Sequence, residues 1–438
     1  MIKNSFWRLV TQFVVMFLAL VISVIIKRTL GPENMGYYAV VNLTVTLAFI
    51  LGYLGLNQAI TYHRAQKTYQ DHHLWTFLVF FGAVWGIILG GIGLVVVNIL
   101  SAEILGLDHT SRSFLSIGLF LISTRLLNAY LKAYLLGGKS FSAFNAIGVI
   151  DRALMLALLV LTVLMDDAIT AVYIAWLITP IVMTILLLWI TRERWSLKQV
   201  SMRATFREAF HYGYKAYITN FMQFFNYRLD QYVLNYYRGP VEVGVYTAAV
   251  SLGNYLWQLS NAVQTILFPT IAGLSEDEAR KLTLRANRNT LFLSALGACV
   301  LAVTGHWLIC FLYGDAYVDA YHSLLWLLPG IVAFSIVKVL TASLSGLGHP
   351  EVASIVTAFA MIFTLSLDFL WIPDRGLVGA AQASTVAYMA AGVLSVIMYL
   401  RYVKTPLKHL LLIQPEDLRA YLKAARRLQK SIEKRRLP

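Results

Sequence analysis

Apolar runs of about twenty residues, the length that carries a helix across a bilayer, follow one another along most of this chain. No ordinary water-soluble fold hides that much apolar surface. Charged residues fill only 13% of positions and hydrophobic ones 58%, where a soluble domain carries about 25% charged residues. Two cysteines among 438 residues make no disulfide framework. The fold class is therefore an all-α polytopic membrane protein.

Measured against that length, the sequence predicts 12 transmembrane helices. Six fall in the first half, at 9–30, 38–61, 74–100, 114–136, 142–165 and 169–190. Six follow, at 210–235, 244–271, 289–312, 321–346, 352–372 and 377–400. The first is read as a retained span, because Lys27-Arg28 stand where a signal peptide needs small residues. Basic residues set the direction, since they collect on the cytoplasmic side. Arg192, Arg194, Lys198, Arg203 and Arg207 fill the central linker, and Arg280, Lys281, Arg285 and Arg288 another loop of the same parity. Loops of the opposite parity carry Glu103, Asp108, Asp166, Asp167, Glu242, Asp315 and Asp319. Both termini are expected in the cytoplasm.

The formal net charge of +14 then says little about nucleic acid, and no nucleic-acid partner is expected. Much of it sits in the tail, where Pro415–Arg436 reads as a helix. Leu418, Leu422, Ala425, Leu428 and Ile432 line one face, with Arg419, Lys423, Arg426, Arg427 and Lys430 around it. Such a helix lies on a membrane surface, drawn to the anionic lipid of the inner leaflet.

The two halves of the chain repeat each other. Gly31-Pro32 with Gly36 and Tyr38 matches Gly239-Pro240 with Gly244 and Tyr246 as G-P-x-x-x-G-x-Y. Each copy follows the first span of its half. A weaker echo pairs Arg125-Leu126-Leu127 with Lys338-Val339-Leu340, each in the fourth span of its half. Six spans per half make the repeats parallel, and transporters place substrate sites between such repeats. The predicted division is an N-lobe at 1–191, a cytoplasmic linker at 192–208, a C-lobe at 209–402 and the basic amphipathic tail at 403–438.

Charged groups inside spans are costly and usually face a cavity. Arg125, Asn128 and Lys132 recur at helical spacing, as do Lys338, Thr341 and Ser345 in the repeat-related span. Two cations at corresponding places could converge on one anionic ligand, with Arg152 as a third basic candidate. Neutral stripes join them: Asn42 with Asn57, Asn220 with Gln223, and Asn254, Gln258 and Asn261. Asp151, Asp230 and Asp368 are the buried acids. So many aligned polar stripes need a common wet space, and a hydrophilic lumen between the lobes is expected.

Other patterns carry less. Gly82, Gly86 and Gly90 have the spacing of close helix packing. Gly138-Lys139-Ser140 copies the end of a phosphate-binding loop, but Ala133 stands where the first glycine belongs. His306 and Cys310 share a helix face without further ligands, so no metal site is expected.

Taken in order along the chain, several loose motifs carry a family resemblance. They are Leu30-Gly31-Pro32 with Gly36-Tyr37-Tyr38, Arg228-Leu229-Asp230, Gly244-Val245-Tyr246, Leu312-Tyr313-Gly314-Asp315-Ala316-Tyr317, Gly346-Leu347-Gly348-His349-Pro350, and Ile372-Pro373 with Gly376-Leu377-Val378-Gly379-Ala380-Ala381. The series resembles the polysaccharide-type flippases of the MOP superfamily, the Wzx-like exporters of lipid-linked oligosaccharide. The resemblance implies two six-helix lobes in a bacterial cytoplasmic membrane, enclosing a lumen that opens alternately to each side.

It also implies a transporter and not an enzyme. The substrate would be an undecaprenyl-diphosphate-linked glycan, a repeat unit of O-antigen, capsule or exopolysaccharide. Arg125 and Lys338, then Arg152, are the residues expected to hold its diphosphate. No cofactor is implied beyond a coupling H⁺ or Na⁺, for which Asp368, Asp151 and Asp230 are the candidates. Glycan polymerase and export proteins are the expected neighbours of a functional monomer.

Three rivals stand beside this reading. A multidrug-type cation antiporter on the same fold would want an anionic lumen and often an acid in the first span, and residues 9–26 contain no Asp or Glu. A lipid II flippase tends to carry two further spans. An integral-membrane enzyme would show a large outer loop, and every predicted outer loop here is short.

Overall fold

The computed structural model describes residues 2–99, 105–162, 167–192, 201–403, 405–412 and 414. The expected tail helix at 415–436 and residues 193–200 of the basic linker lie outside them. Among the described residues the regular structure is helical, as it must be for any lipid-exposed chain that is not a closed barrel, because hydrocarbon offers backbone groups no partner.

The helices run in the order α1 Ile2–Tyr53, α2 Leu56–Ala65, α3 Asp71–Ile99, α4 His109–Phe120, α5 Ile122–Gly137, α6 Phe141–Thr162 and α7 Ala168–Thr191. Then come α8 Met202–Arg238, α9 Pro240–Ile271, α10 Glu276–Tyr313, α11 Ala320–Gly346, α12 Glu351–Tyr402 and the short α13 Leu407–Leu411. Seven described helices are long and apolar enough to span a bilayer, or eight if α4 and α5, bent by 47°, form one. Helices α8 and α9 have the length, at 37 and 32 residues. Their polar stripes dilute the apolar run.

Glycine sets the breaks. An unbroken helix of 52 residues would be about 78 Å long, far more than a hydrocarbon core of about 30 Å. Helix α1 turns at Gly31 (φ 67°, ψ 175°) and α12 at Gly376 (φ 53°), which divides each into two of the predicted spans. Gly239 (φ 82°) separates α8 from α9 in the same way. In both copies of the repeat motif the first glycine takes a backbone conformation closed to other residues, and the proline opens the following helix.

Two predicted spans are less regular than the sequence reading. The second, 38–61, is broken at Leu54 and Gly55, both with positive φ. The fourth, 114–136, bends at Leu121. There the Thr124 hydroxyl donates to the Leu121 carbonyl at 2.7 Å, and Thr184 donates to the Thr124 carbonyl at 2.8 Å. Hydroxyls of this kind satisfy carbonyls that a bend releases.

The chain forms two compact units. The first comprises residues 1–247 and 310–318, the second 248–309 and 319–438. This division by contact is a different criterion from the repeat boundary at 192–208, and it groups α8 with the first unit. In that unit α3 lies on α4 and α5, α6 on α1 and α7, and α8 on α1 and α2. Gly82, Gly86 and Gly90 let α3 approach Tyr130, Ser123 and Leu119, the close packing their spacing predicts. Its core gathers Leu56, Ile60, Phe77, Leu78, Leu126, Tyr130 and Tyr134. In the second unit α11 and α12 are the most extensively packed pair, with Gly330 against Thr385 and Gly392 near Ala333.

The two copies of the repeat motif mate with each other inside the first unit. A methyl group on Gly36 would overlap the Pro240 carbonyl, and one on Gly244 would overlap the Pro32 carbonyl. The contact is reciprocal, as a local two-fold axis requires. A second reciprocal crossing joins Gly55 and Gly213 backbone to backbone. Between them Asn220 donates to the Tyr53 hydroxyl, and the Tyr232 hydroxyl reaches Thr44 at 3.3 Å. The motif's last tyrosine also has work in the second copy: buried Tyr246 donates to the buried Asp230 carboxylate at 2.7 Å, which also accepts from the Gln231 amide at 2.8 Å.

Four outcomes follow for purified protein in detergent. Gly36→Ala forces the crossing apart and is expected to cost about 1–3 kcal/mol, the usual price of overpacking, read as a lowered unfolding midpoint. Gly91→Ala, where nothing lies within 4 Å, is expected to leave that midpoint unchanged or raise it. Tyr246→Phe strips a charged acceptor of its side-chain partner and should cost about 1.5–3 kcal/mol. The double variant Tyr246→Phe with Asp230→Leu should recover part of that loss, since no buried carboxylate is left behind.

Candidate functional site

Helix α5 carries the predicted cationic stripe, and its face is set by contacts on both sides. Leu126, Tyr130 and Leu131 are buried in the core, which turns Arg125, Asn128 and Lys132 the other way. Those three line a cavity of about 510 Å³ within the first unit. Helix α1 adds Tyr38, Asn42 and Thr46, α6 adds Asp151 and Arg152, and α7 adds Trp176. Asp167 fixes the start of α7 by accepting the Ile169 and Thr170 amides at 3.1 Å. Hydrogen bonding from Thr170 holds its carboxyl below the usual carboxylate range.

Each charge in the cavity has its own environment. The Arg125 guanidinium lies 4.4 Å from the Trp176 ring centroid, a cation–π contact. The indole N–H donates to Asn42 Oδ1 at 3.0 Å, so the ring beneath the guanidinium is held in place. Lys132 is neutralised by Asp151, Nζ to Oδ2 at 3.0 Å. Arg125 and Arg152 have no acid within ion-pair distance among the described residues. Three cations and one carboxylate leave a surplus of two positive charges, carried by two forked donors that suit phosphate oxygens.

Lys338 occupies a corresponding setting in the second unit. It is buried, donates to Asn261 Oδ1 at 2.7 Å and lies 4.4 Å from the Trp257 ring. Asn254 is half-buried and Gln258 exposed on the same helix as Asn261. Of the other sequence candidates, Gln223 is half-buried on α8 and Asn57 half-buried on α2. Asp368 is fully buried on α12. Asp230 has the tyrosine partner already described.

Sequence reasoning missed Trp176, Tyr38 and the Lys132–Asp151 pair. Tyr38 carried a signal, as the last residue of the repeat motif. The ion pair and the indole contact join separate helices, and spacing along one helix says nothing about them. The glycines resembling a phosphate loop prove structural: Arg64 stacks on Tyr134 at 3.4 Å, pairs with Asp71 at 3.3 Å, and leaves no room for a side chain at Gly138.

Solved structures share this fold at low identity. An inward-facing multidrug resistance MATE family transporter of the MOP superfamily superposes with a TM-score of 0.74 at 14% identity, covering 88% of this chain and 94% of that one. The lipid II flippase MurJ, in an inward closed conformation, gives 0.77 at 15% identity, with 92% and 89% covered. A MOP superfamily transporter from Pyrococcus furiosus, for which a reversed polarity of the binding pocket suggests a different function, gives 0.60 at 14% identity, with 90% and 94% covered. A search of curated proteins returns no match. A family model described as polysaccharide biosynthesis protein matches residues 25–322, from the end of the first predicted span into α11, and takes in every polar residue that lines the cavity. On that match this multi-pass membrane protein belongs to the polysaccharide biosynthesis protein family, and its fold is the one those solved transporter structures share.

Proposed function

We propose that the protein turns a polyprenyl-diphosphate-linked oligosaccharide from the inner to the outer leaflet of a bacterial cytoplasmic membrane by alternating access. One observation carries the reading: two guanidiniums without an acid partner among the described residues line a single cavity. A sugar hydroxyl entering hydrocarbon without a partner costs several kcal/mol, and a diphosphate far more. Spontaneous crossing is negligible, so a polar route with fixed positive charge is what the substrate needs. A diphosphate diester carries two negative charges, matching the cavity's surplus.

In this reading Arg125 and Arg152 hold the diphosphate, Asn42 and Asn128 meet sugar, and Lys338 of the second unit is the weaker basic candidate. The chain crosses the membrane twelve times with both ends in the cytoplasm, works as a monomer, and rests its basic tail on anionic lipid. Coupling to H⁺ or Na⁺ would fall to Asp230 or Asp368, since Asp151 is engaged by Lys132. An organic-cation cargo is disfavoured, because the cavity repels positive charge. Lipid II shares the diphosphate, so its transport is the rival separated by identifying the accumulated lipid.

The test is lipid extraction from cells lacking the protein, reading which polyprenyl-linked glycan accumulates on the inner face. Wild type should clear it. Arg125→Ala with Arg152→Ala should lower clearance at least tenfold, since each removes charge-assisted hydrogen bonds of about 1.5–3 kcal/mol. Lys338→Ala, whose ammonium already serves Asn261 and Trp257, should cost less than Arg125→Ala. Unchanged lipid-linked glycans with altered resistance to cationic drugs would overturn the proposal.

A further inference from the structure

The cavity holds a single carboxylate among its lining residues, Asp151. A negative charge beside an anion site opposes the anion, and Lys132 cancels that opposition at 3.0 Å. As far as charge goes the pair is nearly silent. What it leaves in the cavity is a strong hydrogen-bond acceptor. Lys132 takes Oδ2, while Oδ1 accepts no hydrogen bond among the described residues, and the Asp151 side chain keeps 29% exposure. The neighbouring groups are of the opposite kind: the guanidiniums of Arg125 and Arg152 can only donate.

Position adds to this. Arg125 and Lys132 stand seven residues apart on α5, about 10 Å along its axis, so the two ends of the polar stripe reach beyond a diphosphate alone. Arg152 follows Asp151 directly on α6. A ligand held by both guanidiniums therefore lies in the same cavity as the carboxylate.

We propose that Asp151, held in place by Lys132, is a specificity-determining residue that accepts a hydrogen bond from the first sugar attached to the diphosphate. The class recognised is a glycosyl diphosphate whose first residue offers a hydroxyl or acetamido N–H, in preference to a bare prenyl diphosphate. The inference rests on the diphosphate reading of the cavity, and the two can fail separately.

The experiment measures binding to the full chain in lipid nanodiscs with two probes, a short-chain prenyl diphosphate and the same lipid carrying N-acetylglucosamine. Wild type should prefer the sugar-bearing probe. Asp151→Asn keeps the shape of the side chain and removes its charge. It should tighten the bare probe, because Lys132 becomes an added cation, and lower the preference for the sugar-bearing probe about tenfold. Lys132→Gln removes a charge and keeps the acceptor, so it should weaken both probes in parallel. A purely structural Asp151 would move both probes by the same factor in Asp151→Asn, and that result overturns the sugar assignment alone. If wild type binds neither probe, the diphosphate reading itself falls and takes this one with it.

Discussion

Helices surrounded by lipid gain little from burying apolar surface against each other, because acyl chains are as apolar as leucine. What holds them must be close contact and hydrogen bonding, and in the first unit that contact is backbone on backbone. The two glycine crossings, Gly36 with Pro240 and Gly55 with Gly213, bring α1 and α2 against α8 and α9 at a distance no side chain allows. Hydroxyl and amide contacts from Tyr53, Asn220, Thr44 and Tyr232 fill the interval. With α8 secured there, α1 presents Tyr38 and Asn42 to the cavity on its other side. The position of the candidate site thus depends on residues outside its lining.

Arg125 and Lys338 show how one sequence echo acquires two chemistries. Each cation sits 4.4 Å from a tryptophan ring, an arrangement that offsets part of the cost of removing it from water. Lys338 also spends its ammonium on Asn261. Arg125 makes no such bond among the described residues, and its fork remains available. The difference comes from neighbours on other helices, which neither copy of the repeat records.

That contrast explains how much of the molecule was legible beforehand. The breaks at Gly31 and Gly376, the polar face of α5 and the packing role of Gly82, Gly86 and Gly90 all follow from local rules of glycine conformation and helical period. The break at Leu54–Gly55 does not, because Leu54 is no turn signal and Gly55 is placed by its partner Gly213. The repeat motif was plain in sequence, yet its self-mating needed the two copies brought together in space. Likewise Arg125, Asn128 and Lys132 could be aligned on one face, while Trp176, Asn42 and Asp151 entered only through contacts between helices. Hydropathy is also weak at α8 and α9, where polar residues dilute the apolar run.

The fold is shared by proteins described as multidrug transporters and as a lipid II flippase, so architecture alone selects no cargo. In the proposed reading, charge inside the cavity makes that choice. A transporter must also let go, and binding has to be favourable enough to load and weak enough to release. Two unit charges 4 Å apart attract by about 4 kcal/mol at an effective dielectric of 20, so each unpaired cation matters. With the proposed diphosphate cargo, a third free cation would add attraction of that order and oppose release. Pairing Lys132 with Asp151 lowers the surplus to two without emptying the cavity of polar groups, and it exchanges excess attraction for a contact that can distinguish one headgroup from another. If the cargo is the proposed diphosphate, Asp151 tempers a strongly cationic cavity, and its loss should slow release even where it strengthens binding.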